Sequence, residues 1–139
     1  MTKKKKIFLI LVVAWVCFIF GHSMMPASAS DKESSAILLF LQQFLPGLSH
    51  KLLRKLAHFS IFAVWGGLLY GLFRQYDRFC LIKPIGTALC GAFSDETIQL
   101  FVPGRSGQVS DMWIDLSGAI CMILLVHFIT TILRKKRTP

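Results

Sequence analysis

The sequence predicts an all-α integral membrane protein: four transmembrane helices, one short interfacial or re-entrant helix, and both termini in the cytoplasm. Three observations carry this expectation. First, the 139 residues are 54% hydrophobic and only 17% charged, with a mean hydropathy of +0.59, whereas a water-soluble domain holds about 25% charged residues. Second, the apolar residues come in blocks at 7–21, 56–73 and 112–133 rather than in amphipathic stripes. Third, the net charge of +9 is concentrated at the flanks, in Lys3, Lys4, Lys5 and Lys6 and in Arg134, Lys135, Lys136 and Arg137. Such flanks read as anchors facing anionic lipid on the cytoplasmic side. Together these exclude an ordinary soluble domain, a disordered chain and a disulfide-stapled secreted module. A nucleic-acid function is excluded too, because no folded module offers a basic face.

The first span is expected over residues 7–25. A lysine-rich start, an apolar run and Ala27-Ser28-Ala29 also fit a secretory signal with a cleavage site. Bulky Trp15, Phe18 and Phe20, and the spans that follow, favour a retained helix. Next, Ser30-Asp31-Lys32-Glu33 has capping-box spacing before an apolar run that Pro46-Gly47 stops. The resulting helix, about 31–45, is too short to cross a core of roughly 30 Å. Ser49 then caps a helix whose spanning part is 56–73, with Gly67 and Gly71 spaced for the close approach of another helix.

The third span, 84–102, opens on Pro84 and rises about 28 Å at about 1.5 Å per residue. The fourth is about 112–133. Four spans put both termini on one side, where eleven basic residues fall, against five (Lys32, Lys51, Arg54, Lys55 and Arg105) on the other. The positive-inside rule makes the first side cytoplasmic. Cys17, Cys80, Cys90 and Cys121 show no C-x-x-C spacing and are expected to be small buried hydrophobes. Trp15, Trp65, Trp113 and the phenylalanines are expected to face lipid or the interface. No cofactor and no metal ligand set is expected.

Several polar residues fall where apolar ones belong. Asp95 and Glu96 stand roughly 9–11 Å below the outer end of the third span at about 1.5 Å per residue, and Asp115 lies one turn below Asp111. Carboxylates at such depth face a bundle interior and mark functional sites. Asp95 and Gln99, Glu96 and Gln99, and Asp111 and Asp115 each share a helix face. Arg54, Lys55 and His58 share another, and Arg105 lies in the turn Pro103-Gly104-Arg105-Ser106-Gly107. All can converge on one extracytoplasmic polar pocket. The alternatives are a purely structural cluster, with the carboxylates paired to Arg54, Lys55 or Arg105, and Asp111 as a simple helix cap.

Taken in order, Arg54-Lys55-Leu56-Ala57-His58-Phe59, the run from Ser94-Asp95-Glu96 through Gln99 to Pro103-Gly104-Arg105-Ser106-Gly107, and Asp111-x-x-x-Asp115-x-x-Gly118-Ala119 closely resemble the VanZ-like family over about residues 7–132. The resemblance implies a multi-pass protein of the bacterial cell membrane. It also implies an accessory role in the envelope, since the family's founding member lowers susceptibility to teicoplanin without remodelling the peptidoglycan precursor. Its motif maps onto His58, Glu96, Gln99, Arg105, Asp111 and Asp115 but assigns them no role. Two positions depart from the pattern. His22-Ser23-Met24-Met25-Pro26 replaces a serine-rich stretch, and Asp115 stands where many members have Asn.

Two functions follow. A binding or accessory protein, influencing susceptibility to glycopeptides or other envelope-targeting agents, would hold a lipid-linked envelope precursor or anionic lipid headgroup. Arg54, Lys55 and Arg105 would meet the anion, and Gly104 and Gly107 would admit it to backbone amides. An intramembrane hydrolase or transferase on lipid-linked phosphates would instead use Glu96 as general base and His58 as acid, with Asp111 and Asp115 on a divalent cation. Membrane lipids are partners in both, and Gly67 and Gly71 permit an oligomer.

Overall fold

A computed structural model describes residues 2–77 and 81–135, so Arg78, Cys80, Lys136 and Arg137 lie outside the described residues. Within them the chain is all-α, in five helices: α1 (Lys3–Ser23), α2 (Ala27–Gln42), α3 (His50–Phe73), α4 (Ile82–Leu100) and α5 (Val109–Lys135). Three of these, α1, α3 and α5, are long and apolar enough to cross a membrane. Helix α4 has the length, at 19 residues, but carries Lys83, Asp95 and Glu96 and falls short of the other three in apolar character.

The helix ends follow local chemistry, with one departure. The Ser49 side chain accepts from the Leu52 amide at 3.2 Å, the cap the sequence predicts for α3. Pro84 sits buried in the first turn of α4. Helix α2, in contrast, starts three residues before the predicted Ser30 cap. Pro26 occupies its N-cap and Ser30 is buried inside the helix, so the capping box goes unused. Proline's fixed φ suits a helix start, and the Ala27 amide donates to the Pro103 carbonyl at 3.3 Å, tying this start to the α4–α5 turn. Asp111 is not a cap either: it lies in the first turn of α5, where the helix dipole favours an acid.

The core is a seam between α3 and α5, the most extensive helix pair, against which α4 and α1 pack. Small residues set its spacing. A Cβ on Gly118 would meet the Phe59 carbonyl oxygen, and one on Gly66 would meet the Ala119 backbone. The two backbones therefore touch with no side chain between them. Gly67 faces Met122 of α5 and Gly71 faces Phe8 of α1, so both glycines of the G-x-x-x-G pair have partners within the chain.

Phe62, Trp65, Leu69, Ala88, Ala92, Leu116 and Ala119 fill the centre. Trp65 is only 3% exposed, its ring lying over Gly91 and edge-on to Phe62 at 5.7 Å. The expected lipid-facing tryptophan is thus a core residue, because hydropathy does not distinguish the two. Trp113 does face outward, and Trp15 is half-buried with its indole N–H on the Ile61 carbonyl at 3.0 Å. The three described cysteines, Cys17, Cys90 and Cys121, reverse the expectation: all are exposed on the helical surface.

Candidate functional site

The polar residues of four helices and one turn meet at the end of the bundle where α4 joins α5. Residues Asp95, Glu96 and Gln99, one face of α4, are all buried. The Gln99 side-chain amide donates to Asp95 Oδ2 at 2.9 Å, as their i, i+4 spacing allows. The other Asp95 oxygen lies in hydrogen-bond reach of the Ser23 hydroxyl from α1. Glu96 accepts from the Gln108 backbone amide at 2.8 Å. From α5, Asp115 is completely buried, and His58 Nδ1 of α3 pairs with its Oδ1 at 3.1 Å. His58, Asp95, Glu96 and Asp115 each bring a nitrogen or oxygen within 4.8 Å of those of the others.

Beside this cluster a cavity of about 950 Å³ opens between α1, α2 and α3. Arg54, Lys55, His58, Asp95, Arg105 and Asp111 stand on its wall, together with apolar Phe18, Ile19, Ile37, Ile61 and Phe62. Glu96, Gln99 and Asp115 are not on that wall; they lie behind it. Lys55 Nζ reaches Asp111 Oδ1 at 3.9 Å in a half-exposed pair, a geometry that contributes at most about 1 kcal/mol.

Among the described residues, no arginine pairs with the deep carboxylates. The Nε and NH2 atoms of Arg105 are buried and have no hydrogen-bond partner among the described residues. Burial lowers its pKa from the ordinary arginine value, and the nearby Arg54 lowers it further. An arginine in a turn nonetheless keeps its charge at neutral pH. The turn itself is fixed by Gly104, whose φ of +76° disfavours other residues. Gly107 is small for a different reason than the sequence suggests. A Cβ there would meet the Glu96 carbonyl and Leu100, so it admits α4 rather than a ligand.

Two contributors escape sequence reasoning. Ser23 lies 72 residues from Asp95, and no spacing rule joins them. The only signal is a small polar residue at the end of an apolar run. Gln108 acts through its backbone amide, which the residue type does not reveal.

An all-α chain with three helices long and apolar enough to span a bilayer is a multi-pass membrane protein, and its buried carboxylates meet between the helices. The chain belongs to the VanZ/LLP1 family, whose sequence model matches residues 8–130. Comparison with curated proteins and with solved structures found no match.

Proposed function

We propose that this protein is a bacterial cell-membrane accessory factor that binds an anionic amphiphile, of the lipid-linked phosphate class, in the cavity between α1, α2 and α3. The carrying observation is Arg105, a half-buried arginine at a partly apolar cavity whose buried Nε and NH2 are unpartnered among the described residues. An arginine in that state is matched by a phosphate, whose oxygens suit its fork. The apolar wall of Phe18, Ile37 and Ile61 suits a hydrocarbon chain attached to that phosphate.

In this reading α4 also crosses the membrane, as the third of four spans. Its outward residues Leu89, Phe93 and Leu100 are apolar and exposed, whereas Asp95, Glu96 and Gln99 turn inward. Four crossings, with the excess of basic residues beside the termini, support both termini in the cytoplasm and the site on the outer side. Helix α2 lies along the interface, with Ile37, Leu39 and Phe40 exposed and only Ser30 and Leu38 buried. Occupancy of the cavity by an envelope lipid phosphate is what would alter susceptibility to glycopeptides such as teicoplanin.

Arg105→Ala is expected to weaken binding of a polyprenyl phosphate to the detergent-purified protein about 10- to 100-fold, the worth of a charged hydrogen bond. Complementation of a deletion strain should fall in parallel at normal membrane levels of the variant. Unchanged binding by Arg105→Ala removes the basis of the reading.

A hydrolase or transferase acting on the same class of ligand is the second reading. Buried Glu96 favours it, since its Oε1 has no hydrogen-bond partner among the described residues. It requires Glu96→Gln to abolish complementation while leaving polyprenyl-phosphate binding intact. Full complementation by Glu96→Gln sinks it.

A further inference from the structure

We propose that His58, Asp95, Glu96 and Asp115 form a binding site for one divalent first-row transition-metal cation. This goes beyond the amphiphile reading and does not depend on it, for Arg105 is not among the four.

The donor set is the first argument. One imidazole and three carboxylates, from α3, α4 and α5, place their nearest donor atoms within 4.8 Å of one another. His58 Nδ1 and Asp115 Oδ1 stand 3.1 Å apart, the edge expected for two donors bound to one ion at about 2.0–2.2 Å.

Unmet bonding capacity at the same point is the second argument. Asp115 is 0% exposed, and its Oδ2 has no hydrogen-bond partner among the described residues. Glu96, 7% exposed, has Oε1 in the same condition. The neighbouring Glu96 oxygen is held by the Gln108 amide, so Glu96 is oriented through one oxygen with the other left to bond. Asp115 Oδ1 faces only His58 Nδ1 among the described residues, a contact that a shared ion would replace. Three carboxylates this close and this buried repel one another strongly. A cation among them supplies the charge that the single imidazole does not.

The third argument is support from behind. Gln99 and Ser23 hold Asp95 by its two oxygens, the outer-shell anchoring that metal ligands carry. The ligand chemistry selects the ion. A nitrogen donor with carboxylates favours Mn²⁺ or Zn²⁺, while Mg²⁺ and Ca²⁺ prefer oxygen alone. Asp111, which the sequence pairs with Asp115 on a cation, is engaged with Lys55 instead.

The test is uptake of Mn²⁺ and of Zn²⁺ by the full chain in detergent, stripped with chelator and measured by equilibrium dialysis with elemental analysis. Wild type should take up about one ion per chain. Asp115→Asn and His58→Ala should lose that uptake while keeping helical circular dichroism and a monodisperse elution. Gln99→Ala keeps all four ligands and should weaken uptake about 10- to 100-fold; it also serves if the ligand variants fail to fold. Arg74→Ala, at the opposite end of α3, should bind as wild type does. Uptake by wild type below about a tenth of an ion per chain at millimolar metal overturns the proposal. Uptake that neither Gln99→Ala nor any folded ligand variant weakens overturns it as well.

Discussion

Gly118→Ala is expected to destabilise the folded protein by about 1–3 kcal/mol, the cost of forcing an extra methyl into a filled contact. The added Cβ would meet the Phe59 carbonyl oxygen, which belongs to the α3 backbone and has no rotamer by which to move aside. The helices must separate instead. Asp115 lies one turn before Gly118 on α5, and His58 precedes Phe59 on α3. The same displacement therefore pulls apart the His58–Asp115 pair. Thermal unfolding in detergent measures the effect, with Gly86→Ala as the reference. Gly86 has nothing within 4 Å of an added Cβ, so alanine there should be neutral or stabilise by up to about 1 kcal/mol. Equal melting temperatures for the two variants would show that the seam does not set the helix spacing.

The second large effect is expected from His58→Ala. It removes the one hydrogen-bonding side chain on Asp115 Oδ1 and leaves a fully buried carboxyl group with both oxygens unpartnered among the described residues. Breaking a buried pair from one side costs about 3–5 kcal/mol. The cost is recoverable, because an amide at position 115 carries no charge to strand. His58→Ala with Asp115→Asn should be more stable than His58→Ala alone, and a double-mutant cycle isolates that coupling. If the double variant is no more stable than the single one, the pair does not stabilise the fold.

How much of this was legible beforehand differs from residue to residue. The long apolar blocks announced α1, α3 and α5, and Ser49 announced where α3 begins. Helix α2 was legible as a helix but not at its start, since Pro26 and the tie to Pro103 prevail over a capping box that is present in the sequence. Trp65, Cys17, Cys90 and Cys121 lie elsewhere than hydropathy suggests, because hydropathy reports that a residue avoids water and not which apolar partner it takes. The depth of Asp95, Glu96 and Asp115 could be counted from helix rise, and i, i+4 spacing gave the Gln99–Asp95 bond. Partners on other helices could not be obtained this way. The pairing of Asp115 with His58 rather than its own-helix neighbour Asp111 depends on how α3 and α5 register, which the Gly118 and Gly66 contacts fix. That Arg105 takes no carboxylate partner was equally out of reach, because the turn geometry at Gly104 decides it.

The division of the cluster among helices bears on how the chain is made. His58 on α3 is synthesised before Asp95 and Glu96 on α4, and Asp115 on α5 comes last. In the four-span reading proposed above, α4 brings two carboxylates into the membrane that cost up to about 2.5–3.5 kcal/mol each, while α5, which completes their surroundings, does not yet exist. Helix α5 is among the chain's long apolar helices and is joined to α4 by a short turn, so the economical route is entry of the two as a hairpin against α3. In that reading, assembly of the polar cluster is the event that commits α4 to the membrane. A chain arrested before α5, or carrying a seam that cannot close, would present α4 to the cell's quality-control proteases as an uninserted segment.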